Sequence, residues 1–178
     1  MKILLISPPL KNMARYQMRS RGCMPPLNLL YLAAALRAAG HEAALLDLYA
    51  RPLPVPELLK AVENYAPGAV GFASYTANID EVGALAAAIK AARPALPTIV
   101  GGIHASYLPE FTLASPALDI AVIGEGERTI VELADALAAG RPLDGVAGLA
   151  FKRNGAVLRT AARPGVADIN ALPWPAWD

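Results

Sequence analysis

Apolar residues in this chain come in short unbroken runs, separated by longer stretches where they recur every three or four positions. The first run is KILLIS, residues 2–7, continuous enough for a strand buried on both faces. LNLLYLAAALRAA (27–39) then puts Leu29, Leu32, Ala33 and Leu36 on one helical face, and Gly40 is placed to stop the helix. EAALLDLY (42–49) reads as a second strand. VPELLKAVENYA (55–66) reads as a helix with proline in its first turn, closed by Pro67-Gly68. AVGFAS (69–74) predicts a third strand, and residues 78–94 a helix that Asn78 or Asp80 could cap. PTIVGG (97–102) and DIAVIGEGE (119–127) predict the fourth and fifth strands, the latter running straight into a helix over 128–140.

Strands alternating with helices predict an α/β fold with a parallel sheet and right-handed crossovers. Five such units fit a flavodoxin-like (Rossmann-like), doubly wound five-stranded sheet of order 2-1-3-4-5 over residues 1–140. The pattern then changes. Residues 146–161 alternate around Asn154-Gly155, a dipeptide suited to a tight turn, so 141–165 reads as a small appended β-hairpin. Residues 166–178 are proline-rich and carry Trp174 and Trp177, which reads as an extended linker with exposed indoles.

Composition narrows the function classes. With 178 residues, 55% apolar content and a net charge of +1, the chain is globular and has no overall bias toward nucleic acid or membrane. Residues 11–21 hold Lys11, Arg15, Arg19 and Arg21 without an acid, which fits a solvated basic loop or contact with an anionic ligand or partner. Cys23 is the only cysteine, so no internal disulfide and no thiolate-held cluster can form. The apolar start is cut short by Pro8 and Pro9, and no run nears the ~20 residues of a membrane span. A cytoplasmic location is expected.

Candidate chemistry gathers at the strand exits. Open parallel sheets bind ligands outside the carboxyl ends of their strands, where strand order reverses. Here the exits read Ser7-Pro8-Pro9, Ser74-Tyr75-Thr76, Gly101-Gly102 and Gly124-Glu125-Gly126. Small residues at neighbouring exits predict a slot where a ligand approaches backbone. The roughly twenty-residue connection from Ser7 to Pro26 predicts a flap over it. No GxGxxG follows the first strand and no GxxxxGK[ST] occurs anywhere, which removes the dinucleotide and P-loop readings. Of the two histidines, His41 reads as a surface turn residue. His104, just past the glycine pair, reads either as a structural histidine or as one touching the ligand; no second His, Cys or carboxylate shares a metal-site spacing with it. Glu125 and Glu127 suit a helix N-terminus, or Glu125 could accept a hydrogen bond from a ligand.

Taken together, ISPP, PPLNLLYLAAALRAAGHEAALLDLY, VGFASYTANIDE, VGGIHASYLPE and IAVIGEGERTIVELADAL resemble the N-terminal cobalamin-binding domain of cobalamin-dependent radical S-adenosylmethionine (SAM) enzymes. The likeness runs from about residue 2 to residue 140, and LPWPAWD resembles the approach to their radical domain. The resemblance implies cobalamin lying across the sheet edge with its nucleotide tail in the slot. Ser74, Tyr75 and Thr76 would lie beneath or beside the corrin, Gly101, Gly102 and His104 along the tail, and Gly124, Glu125 and Gly126 near its nucleotide end. Ser7, Pro8 and Pro9 would support the other side. The DxHxxG motif that supplies a cobalt-binding histidine in other cobalamin proteins is absent, which implies a base-off form without a histidine ligand. The family's CxxxCxxC is absent too, so the resemblance implies either an N-terminal piece of a longer enzyme, whose radical domain in cis would hold a four-iron cluster and SAM, or a standalone cobalamin carrier. Two alternatives remain at this stage: a standalone flavodoxin-like regulatory or interaction domain, and an enzyme domain acting on nucleotide-activated sugars.

Overall fold

The computed structural model describes residues 1–9 and 24–177. Strands β1 (Lys2–Ser7), β2 (Glu42–Asp47), β3 (Ala69–Ala73), β4 (Thr98–Gly101) and β5 (Ile120–Val122) alternate with α1 (Leu27–Ala38), α2 (Val55–Tyr65), α3 (Ile79–Ala92) and α6 (Glu127–Ala138). Two short helices, α4 (Ile103–Tyr107) and α5 (Pro109–Leu113), fill the link between β4 and β5. A hairpin of β6 (Leu149–Arg153) and β7 (Ala156–Arg159) follows, turning at Asn154-Gly155 as its dipeptide predicts.

The first five strands are parallel in the expected order, but the sheet has seven strands, β2-β1-β3-β4-β5-β6-β7. The hairpin continues it, because β6 pairs antiparallel with β5 through Ile120–Phe151, Ala121–Ala150 and Val122–Leu149. Leu149, Ala150 and Phe151 are buried there. Covering the edge of β5 with this apolar run removes an exposed row of backbone donors and acceptors.

Period-two alternation divides the core. One face of the sheet carries Ile3, Leu5, Ala69, Ile99, Ile120 and Val122 beneath α1 (Leu29, Ala33, Leu36) and α6 (Ile130, Leu133). The other carries Leu4, Ile6, Val70, Phe72, Val100 and Ala121 beneath α2 (Leu58, Val62) and α3 (Val82, Ala86, Ile89).

Two local expectations change, and a third group lies beyond what the structure describes. Asn78 precedes α3 but does not cap it with its side chain. Its Oδ1 instead accepts from the Tyr75 amide at 2.7 Å, and its Nδ2 donates to the Ala73 carbonyl at 3.4 Å, closing the loop between β3 and α3. His41 is not a surface residue: its side chain is 7% accessible, with Nδ1 2.9 Å from the Met1 amine and Nε2 3.2 Å from Asp135 Oδ1. The chain doubles back there, because the Glu42 amide donates to the Met1 carbonyl and brings the first residue beside the turn. Finally, the expected flap, the basic stretch and Cys23 fall on residues 10–23, outside the described residues.

The C-terminal segment is held on α1, where the Ala176 amide donates to the Leu30 carbonyl at 3.2 Å. Trp174 and Trp177 are exposed, as their linker context predicts. Among the described residues no helix is long and apolar enough to cross a membrane.

A bidentate ion pair joins α5 to the hairpin, with Arg159 Nε and Nη2 each 2.6 Å from a Glu110 carboxylate oxygen. The Arg159 hydrogen bond holds the Glu110 carboxyl below its ordinary 4.5. A carboxyl depressed in the folded state binds its proton more readily once unfolded, so its stabilisation is present above 4.5 and is lost as pH falls through the folded value. Glu110→Gln is therefore expected to lower the melting temperature at neutral pH by a small amount, since the pair is exposed. The gap from wild type should close in acid; a gap that persists unchanged at pH values well below 4.5 contradicts the assignment.

Candidate functional site

Strand order reverses between β1 and β3, and a cavity of about 620 Å³ opens there at the carboxyl ends of the strands, a volume within the range of small-molecule sites. It lies on the sheet face beneath α1 and α6. Leu5, Gly71, Ala73, Ile99, Gly101 and Val122 form its floor. Asn28, Leu29 and Leu32 of α1 and Glu127 and Ile130 of α6 form its sides.

The space exists because of residue size at defined registers. Gly71 pairs with Leu5 on β1 and Ile99 on β4, and Ala73 pairs with Gly101. Two adjacent strands therefore present their smallest residues to the same face near their exits, and the overlying helices cannot follow the sheet down. A Cβ at Gly101 would meet only Val122, at an ordinary 3.7 Å, so its absence leaves a cradle that a side chain would fill.

Gly102 serves a different purpose. Its φ is 102°, in the region that favours glycine, and a Cβ would lie 2.5 Å from the Ser74 carbonyl oxygen. The chain leaving β4 passes that close to the loop leaving β3, and the two are joined: the Gly101 carbonyl accepts from the Ser74 amide at 2.7 Å and from the Ser74 hydroxyl at 2.8 Å. Farther out, Thr76 Oγ1 is 3.1 Å from His104 Nδ1.

The β5 exit is tied in by Ser106 of α4, whose hydroxyl donates to the Gly102 carbonyl at 2.9 Å and accepts from the Gly124 amide at 2.9 Å. Gly124 has φ 75°, which lets its amide turn toward that hydroxyl. Exposed Tyr75, Ile103 and Tyr107 border the cavity at the exits.

Of the residues singled out from the sequence, Tyr75, Gly101, Gly102, Gly124, Glu125 and Gly126 line the cavity. Ser74, Thr76 and His104 do not; they fasten the loop beside it. Ser7, Pro8 and Pro9 lie at the exit of β1 toward β2, where the Ser7 carbonyl accepts from the Leu48 amide, and they do not line the cavity. Sequence reasoning about exits missed the floor and the sides. Gly71 and Ala73, two apart in AVGFAS, were the available signal, since alternate small residues on a strand open one face. Ser106 carried no such signal.

A doubly wound sheet with a glycine-floored cavity at its topological switch point defines a ligand-binding α/β domain of the open-sheet kind. Residues 18–134 match the family described as the B12 binding domain. The chain belongs to that family. It is 34% identical over 179 residues to an uncharacterized methyltransferase of Pyrococcus horikoshii, covering all of this chain and 38% of that protein. The fold is similar to that of the radical SAM methyltransferase TsrM from Kitasatospora setae, solved with cobalamin and a [4Fe-4S] cluster (TM-score 0.73, 22% identity, 97% of this chain, 31% of that one). It is also similar to that of the cobalamin-dependent SAM radical enzyme OxsB, solved with aqua-cobalamin and S-adenosylmethionine (TM-score 0.80, 20% identity, 98% of this chain, 24% of that one). The chain spans less than half the length of these proteins.

Proposed function

We propose that this chain is the cobalamin-binding part of a cobalamin-dependent radical SAM enzyme, a methyltransferase or a relative, acting in the cytoplasm with its radical domain in cis. On this reading residues 1–140 are the cobalamin-binding domain, 141–165 the hairpin that closes its sheet, and 166–178 the linker onward. The observation that carries the reading is the cradle left open by Gly71, Ala73 and Gly101 on the sheet face beneath α1 and α6. The family match to B12-binding domains supports it independently.

The nucleotide tail would enter that cradle against Leu5, Ile99 and Val122, with Gly124, Glu125 and Gly126 along the far wall. Burying an apolar base there would exclude water from both surfaces, the main source of affinity in such sites. Tyr75 would stand at the mouth beside the corrin, Ser74 and Thr76 would shape the loop under it, and the Ser7–Pro9 turn would border the opposite rim. Bound cobalamin supplies a cobalt centre able to carry a methyl group. No nucleic acid or membrane partner enters the proposal.

A lower cobalt position free of histidine is part of the proposal. Both histidines of the chain are committed elsewhere, His41 between Met1 and Asp135 and His104 behind Thr76. The test is direct. After mixing with hydroxocobalamin and gel filtration, the purified chain should emerge coloured. Reduced to the Co(II) state, it should show no nitrogen splitting from an axial ligand in its paramagnetic resonance spectrum. A colourless protein overturns the binding reading; nitrogen splitting overturns the histidine-free, base-off form.

A further inference from the structure

We infer that His104 is a positioning residue: it fixes the Thr76 hydroxyl on the exposed loop beside the cavity and serves the bound corrinoid only through that bond. The inference rests on the cobalamin reading above. His104 is 4% accessible and lies outside the cavity lining, so it is not placed to touch a ligand there. Its ring packs edge-on to Phe111, with centroids 5.9 Å apart at 68°. Nδ1 lies 3.1 Å from Thr76 Oγ1, while Nε2 is buried with no hydrogen-bond partner.

That pairing argues against a filler role. A buried polar atom without a partner is destabilising, and a leucine or phenylalanine would occupy the space without leaving one. What the imidazole does that an apolar ring cannot is reach Thr76, which is exposed.

The loop from β3 to α3 is fastened at both ends by backbone-directed bonds. Ser74 donates twice to the Gly101 carbonyl at its start, and Asn78 accepts from the Tyr75 amide at its end. Thr76 lies between, with its hydroxyl bonded to His104 Nδ1. With one side of the hydroxyl engaged by Nδ1, the other is held outward. The primary amides around a corrin offer both donors and acceptors, so a fixed hydroxyl can meet them whichever partner in the pair donates. The GGIH segment then acts as one device: Gly102 admits the loop, the Gly101 carbonyl holds its start, and His104 sets its tip.

The test uses the full chain and the variants His104→Leu, Thr76→Val, their combination and His104→Asn. The asparagine amide can occupy the place of Nδ1, so it restores the bond while losing the ring's packing. In the ligand-free chain, amide hydrogen exchange at Tyr75–Ala77 should accelerate in His104→Leu and in Thr76→Val. It should accelerate no further in the double variant, and should return toward wild type in His104→Asn. With hydroxocobalamin, the dissociation constant should rise about fivefold in each single variant, the size of one neutral hydrogen bond. The double variant should match the singles, and His104→Asn should recover affinity despite a lower melting temperature.

Unchanged exchange, additive losses, or affinity that follows melting temperature across the series overturns the positioning role. If the wild-type chain retains cobalamin and the variants bind equally well, this inference alone falls. If the wild-type chain retains none, the cobalamin reading falls and takes the corrinoid part of the inference with it.

Discussion

Gly101→Val is expected to fold as well as the parent chain and to bind cobalamin on the order of a hundredfold more weakly. The first half follows from strand geometry. Gly101 ends β4 without a left-handed φ, and a Cβ there meets Val122 at 3.7 Å with no overlap. Valine suits a pleated strand, and replacing glycine reduces the freedom of the unfolded chain. The melting temperature should hold or rise slightly. The second half follows from where the added methyl groups go: Gly101 lies beside Ala73 on the cavity floor, in the space assigned to the nucleotide tail. Overfilling a packed site costs roughly 1–3 kcal/mol, and 2.8 kcal/mol is a hundredfold in a dissociation constant. Calorimetric titration with hydroxocobalamin, read beside a thermal melt, checks both halves. A stable variant with parental affinity would show that the tail is not in this cavity.

The neighbouring glycine should behave in the opposite way. Gly102→Ala adds one methyl group yet is expected to destabilise the fold by about 3 kcal/mol, roughly 10 °C in melting temperature for a chain of this size. At φ 102° and ψ −176° an L-residue is strained on its own account. The new Cβ would also sit 2.5 Å from the Ser74 carbonyl oxygen and 3.1 Å from the Ser74 nitrogen, both backbone atoms that cannot swing aside. Relief requires the loop after β3 to lift away from β4 and break the Ser74–Gly101 bonds. Thermal denaturation of the purified variant measures the loss. A melting temperature within a degree or two of the parent would mean that the two loops do not approach as described.

The same pair of glycines shows how far the amino-acid order could be read. GG at a strand exit predicts either a sharp turn or a close approach, and here each glycine takes one of the two roles with respect to different neighbours. Gly101 leaves open space on the cavity floor; Gly102 leaves room for backbone. Nothing local distinguishes them, because the distinction lies in Val122 and Ser74, which are remote in sequence. Glu125 and Glu127 are similar: both precede or open α6, and both line the cavity, Glu125 as an exposed rim residue and Glu127 from the first turn of the helix. The exits were legible as a place; which side chains at that place face the cavity was not.

The order of the main strands and helices, the parallel arrangement of the first five strands and the hairpin turn at Asn154-Gly155 were determined by the sequence alone, whereas α4 and α5 were not foreseen and the fifth strand shrank from 119–127 to Ile120–Val122. Each rests on short-range physics: side-chain alternation, helical periodicity and the backbone preferences of glycine, proline and asparagine. The motif text pointed in the same way to the family. Only the tertiary structure decided that the hairpin completes the sheet, that His41 is enclosed by Met1 and Asp135, and that His104 lies behind Thr76 instead of along the cavity. These depend on groups 28 to 40 or more residues apart meeting at ångström distances, which a one-dimensional pattern does not encode.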